Sequence, residues 1–83
     1  MENSDTEIVV VTFENHYGCV VLKQRLKESC VLRPVPRALS SSCGTCAFVR
    51  GLSAEEVKAQ APRQWQGIYI LEKGSYRRLY EQC

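Results

Sequence analysis

Glu7-Ile8-Val9-Val10-Val11-Thr12-Phe13 is dense in β-branched residues and apolar at neighbouring positions. Alternation would mark a strand with one wet face, whereas this run predicts a central strand buried on both sides. Glu14-Asn15 breaks the run, and Asn15 is a suitable helix N-cap. From residue 16 to 29 the apolar positions Cys19, Leu22 and Leu26 recur at helical spacing, with Lys23, Arg25, Lys27 and Glu28 elsewhere. That pattern predicts one amphipathic helix. Residues 31–35 read as a short strand, at an edge because of Pro34. Residues 36–44 read as a loop and 45–50 as a strand. Ser53-Ala54-Glu55-Glu56 forms a capping box that opens a second helix, stopped by Pro62. Gly67-Ile68-Tyr69-Ile70-Leu71 closes the set as a strand.

The order β-α-β-β-α-β predicts an α+β, ferredoxin-like sandwich: a four-stranded antiparallel sheet with two helices on one face. Residues 1–6 are expected to be a disordered N-terminus, 7–72 a single domain, and 73–83 a polar tail, helical for a turn or frayed. In the usual strand order for this arrangement, 4-1-3-2, the connections 14–17, 36–44 and 61–66 meet at one end of the sheet. His16, Arg37, Cys43, Arg63 and Trp65 should therefore share a rim, with Cys30 at the opposite one.

The chain has 83 residues, 45% hydrophobic and 24% charged, a globular balance. At this length roughly 60–65% of the unfolded chain's surface is buried, so the core is small. A net charge of +2 is too weak a basic excess to point to nucleic acid. The longest apolar run, residues 8–11, is too short to span a bilayer. Met1-Glu2-Asn3-Ser4-Asp5 lacks the basic-then-apolar pattern of a secretory leader, and a cytoplasmic location is the expectation. In a reducing compartment, close cysteine pairs are more often catalytic or metal-binding than structural. Five cysteines leave at least one thiol free in any internal pairing.

Ser40-Ser41-Ser42-Cys43-Gly44-Thr45-Cys46 places two thiols in a Cys-x-x-Cys spacing, just after Arg33-Pro34-Val35-Pro36-Arg37. A Ser/Gly loop can turn several backbone N–H groups toward one anion, and arginines nearby favour a thiolate. Ser41, Ser42 and Gly44 are the candidate anion-accepting residues. Arg37 is a candidate partner for an anion held at Cys43, and His16 a candidate base for Cys43. Cys46 reads either as a resolving thiol or as a core residue in phase with Phe48. Cys19 lies on the apolar helix stripe and reads as core, while Cys30 and Cys83 read as incidental free thiols. A closed zinc site needs about four ligands; only one Cys-x-x-Cys pair is present, and neither His16 nor Cys83 has a diagnostic spacing. No metal and no resident cofactor are expected.

The run Pro34-Val35-Pro36-Arg37-x-x-Ser40-Ser41-Ser42-Cys43-Gly44 resembles a family of small bacterial proteins known as selenium/sulfur carrier-like proteins. The likeness extends over residues 7–71, including a first strand ending in Phe13, a Leu26-Lys27-Glu28 helix end and a final Gly67-Ile68-Tyr69 strand. It implies that Cys43 carries a persulfide or selenide and passes it to a partner protein, without being an enzyme in its own right. It also implies partners such as a cysteine desulfurase-like donor or an enzyme of selenium metabolism, with neither nucleic acid nor membrane involved. Cys46 departs from the family, where an aliphatic residue is usual, so a thiol–disulfide redox module built on Cys43 and Cys46 stays open. An interaction module without thiol chemistry is the third reading.

Overall fold

The computed structural model describes residues 8–39 and 43–82. The expected disordered residues 1–6, Glu7, Ser40, Ser41, Ser42 and Cys83 lie outside the described residues. Strand β1 (Ile8–Phe13) leads into helix α1 (His16–Leu26) and a single 3-10 turn at Lys27–Ser29. Then come β2 (Cys30–Pro34), β3 (Thr45–Arg50), helix α2 (Ala54–Gln60), β4 (Trp65–Glu72) and β5 (Ser75–Glu81).

All pairings are antiparallel, in the order β2-β3-β1-β4-β5. The first four strands keep the expected arrangement, with β1 in the middle, but the sheet has five strands where four were expected. The correction lies in 73–83, which is not a frayed tail. Lys73 (φ 48°) and Gly74 (φ 84°) form a two-residue turn with both φ positive, the kind whose twist matches a hairpin, and β5 returns along β4. Arg77 reaches back across this hairpin and donates twice to the Glu72 carboxylate, at 3.1 and 3.0 Å. The pair holds the Glu72 carboxyl below its ordinary range, the hydrogen bonds from Arg77 contributing most.

Side-chain alternation sorts the sheet into two faces. Val9, Val11, Phe13, Cys30, Ala47, Val49 and Ile68 point to one side, where Cys19 and Leu22 of α1 and Ala54 and Val57 of α2 complete a single buried cluster. Both helices therefore cover the same face, as expected. The other face carries Val10, Thr12, Cys46 and Phe48, with Arg33 stacked 5.7 Å from the Phe48 ring centre. β1 is buried on both faces: Val9, Val10 and Val11 are all fully inaccessible.

The helix ends follow their capping residues. The Asn15 side chain accepts from the Gly18 N–H at 3.2 Å. Ser53 and Glu56 exchange both bonds of the capping box, at 2.9 and 3.1 Å. Among the described residues, no helix is long and apolar enough to cross a membrane.

Candidate thiol site

Cys43 lies where the start of β3 meets the end of β1. The register Thr12↔Cys46 sets Phe13 and the first turn of α1 beside Cys43 and Gly44. Two bonds fix the neighbourhood. Val35 donates to the Gly44 carbonyl at 3.2 Å, closing the neck of the 36–43 loop, and Glu14 donates to the Gln64 carbonyl at 2.8 Å, holding the turn before α1. Gly44 takes φ +79°, a conformation that suits glycine, and so lets the chain turn into the strand directly after Cys43.

Gly18 sets how close the helix comes. A Cβ at this position would lie 2.6 Å from Phe13 Cδ2 and 3.0 Å from Gln64 Cβ. Only a residue without a side chain lets the first turn of α1 rest this tightly on the sheet end. The next residue, Cys19, is thereby driven against the site.

Three donor atoms converge there. Cys19 Sγ is 4.0 Å from Cys43 Sγ, and the imidazole nitrogen of His16 lies within 4.8 Å of both sulfurs. Cys19 is fully buried and also directs its S–H at the Thr45 carbonyl, 3.3 Å away. Cys43 is partly buried against the core, and His16 is exposed at the mouth. Burial pushes the Cys19 thiol up to about 12, and the neighbouring Cys43 sulfur adds to the push. Cys19 is thus held as a neutral thiol next to the more accessible Cys43. Two sulfurs and an imidazole at these separations form a soft donor set, of the type that thiophilic chemistry and soft metals use.

Cys46 takes a different position. It starts the alternation on the helix-free face, whereas Cys43 packs against the helix-side core, so the backbone of the sheet lies between the two side chains. Its Sγ is fully buried and directed at the Pro34 carbonyl, 3.8 Å away. Burial pushes this thiol up to about 11; the Cys43 sulfur adds a smaller push and Arg33 opposes it. The Cys-x-x-Cys spacing brings the two residues close along the chain and onto opposite sides of the sheet.

The remaining rim residues divide. Trp65 is paired with Phe13 and forms part of the buried core. Arg37 is exposed in a turn closed by the Leu39 N–H to the Pro36 carbonyl, 3.0 Å. Arg63 is exposed, its carbonyl accepting from Gln82. Cys30 is a buried core residue of β2, its thiol pushed up by burial, with Lys23 opposing. Of the proposed anion-accepting loop, only Gly44 falls among the described residues.

Cys19 is the member of the cluster that its sequence context conceals. It fits the apolar stripe of α1, and it does line the core. Its spacing from His16 was the available signal. Both stand in the first turn of the helix, so the end of the sheet that receives His16 receives Cys19 as well.

The family model described as Putative Se/S carrier protein-like matches residues 9–71. The chain belongs to this family. The match spans β1 through most of β4 and includes all three residues of the cluster; β5 follows it. No curated protein and no solved structure matched the chain.

Proposed function

We propose that Cys43 carries sulfane sulfur or selenium, bound as a persulfide or its selenium counterpart, and hands it to a partner protein. The observation that carries this reading is the placement of Cys43: a partly exposed thiol at the mouth of a rim, in the cysteine position of the family motif, beside His16 and Cys19. A loaded Cys43 presents a terminal anion. The first turn of α1 lies alongside, and the positive end of a helix dipole favours negative charge there. His16, within 4.8 Å of the sulfur, can exchange the proton of an incoming or departing sulfur through a side-chain turn or one bridging water.

In this reading the chain is a carrier and not an enzyme, working in the cytoplasm on the ferredoxin-like frame common to its first four strands. Its donor is a cysteine desulfurase-like protein or an enzyme of selenium metabolism. The rim offers such a partner Tyr17, a large aromatic side chain left 65% exposed in the same helical turn as His16. Arg37, in the family motif and exposed, is the cation for the partner-bound or loaded anion.

Incubation of the intact chain with a desulfurase and cysteine tests the proposal. Loading adds about 32 mass units for sulfur, or about 79 where selenium is supplied, and maps to Cys43. Failure to load Cys43 at any time point, in an assay where another carrier is loaded, would sink it.

A further inference from the structure

We propose that Cys19 is the releasing thiol of the carrier: it attacks Cys43 Sγ of the loaded protein and expels the cargo as hydrosulfide or hydroselenide. The inference rests on the carrier reading of Cys43 and assigns a second residue to it. In the step, the Cys19 sulfur forms a bond to Cys43 Sγ while the bond from Cys43 Sγ to the terminal sulfur breaks. The departing sulfur leaves with the electron pair, and the proton shed by Cys19 ends on it. A persulfide and a thiol become a disulfide and hydrogen sulfide. The sulfane sulfur is reduced to sulfide as the two cysteine sulfurs are oxidised, so no outside oxidant enters. A dithiol reductant then opens the Cys19–Cys43 disulfide and returns the chain to its starting state.

Three observations converge on Cys19. Its sulfur stands 4.0 Å from Cys43 Sγ, one side-chain adjustment short of the roughly 2 Å of an S–S bond. His16, within 4.8 Å of both sulfurs, takes the Cys19 proton and delivers it to the leaving group once a side-chain turn or one bridging water closes that gap. Cys46, the partner that the Cys-x-x-Cys spacing suggests, sits on the other face of the sheet, with its sulfur turned to the Pro34 carbonyl. Burial adds a control. A thiol held largely protonated attacks slowly, so the loaded state forms and lasts long enough to be read before release.

The test uses the full chain loaded with inorganic polysulfide, freed of excess reagent by desalting, and followed by intact mass, peptide mapping and sulfide release. The loaded wild type should lose its added sulfur as sulfide and end about 2 mass units below the reduced protein, with Cys19 and Cys43 joined. Cys19→Ser should load at Cys43 and hold the persulfide at least about tenfold longer, because the intramolecular attacker is gone. Cys19→Ala repeats the measurement without a buried hydroxyl, and a thermal melt of each variant checks folding. Cys46→Ala should release as the wild type does. Release from both Cys19 variants at the wild-type rate, or a cross-link that maps to Cys46, would overturn the assignment while leaving a loaded Cys43 intact. Absence of a Cys43 persulfide in every variant overturns the carrier reading, and this inference with it.

Discussion

Gly18→Ala probes the contact that brings α1 to the thiols. On helix propensity alone the substitution should stabilise, by up to about 1 kcal/mol. The packing says the opposite. The new methyl would sit 2.6 Å from Phe13 Cδ2, and Phe13 is fully buried. Carbon atoms prefer about 3.5–4.0 Å, so roughly 1 Å of separation must be found. Phe13 cannot swing into solvent, and Gln64 Cβ blocks the other side at 3.0 Å. Overpacking costs about 1–3 kcal/mol, and a contact short by about 1 Å against a fully buried ring lies at the upper end, about 2–3 kcal/mol, which leaves a net loss of about 1–2 kcal/mol after the propensity gain. In a domain of this size that lowers Tm by about 5–15 °C, measurable by circular dichroism. If the helix lifts to make room, Cys19 retreats from Cys43, and the yield of their disulfide under mild oxidation should fall too. A variant as stable as the wild type, or more so, would refute the reasoning and show that propensity outweighs the contact.

Asn15→Ala should cost about 1 kcal/mol through loss of the bond to the Gly18 N–H, with Asn15→Asp restoring most of it, as denaturant titration would read. The buried thiols predict an alkaline loss of stability. Cys46 at about 11 and Cys19 at about 12 remain protonated in the folded chain, while the unfolded chain releases these protons from about pH 8.5. Above that pH the folded state binds more protons than the unfolded one, so stability is full below it and falls as pH rises toward the folded values. Melts from pH 8 to about 10.5 should show the decline, shallower in Cys46→Ala than in the wild type; parallel curves would contradict the cause.

Much of the frame is legible because each signal there is local. The Val9–Val11 run has no polar face to turn outward, and it occupies the centre of the sheet. Asn15, the Ser53–Glu56 box and Pro34 each act on adjacent backbone, and each does so in the structure. β5 is hidden because Ser75-Tyr76-Arg77-Arg78-Leu79-Tyr80-Glu81 carries three charges and no clean alternation. As an edge strand it needs only one neighbour, and its turn places a lysine at positive φ where asparagine or glycine is the usual sign. The site is half legible for a similar reason. Strand order places His16 and Cys43 at one rim, but the Cys19–Cys43 approach depends on a tertiary contact at Gly18. The Cys-x-x-Cys spacing misleads because Cys43 precedes the strand and Cys46 lies within it. Side chains there take faces by strand alternation and not by nearness along the chain.

The central claim is that Cys43 is the atom on which cargo rides. Intact mass spectrometry with site mapping, after exposure of the full chain to a desulfurase and cysteine, addresses it most directly. The account predicts an adduct of about 32 mass units on Cys43 at early times, formed in Cys46→Ala as in the wild type, longest-lived in Cys19→Ser and absent from Cys43→Ser. An adduct that settles on another cysteine, or one that survives Cys43→Ser, would contradict it.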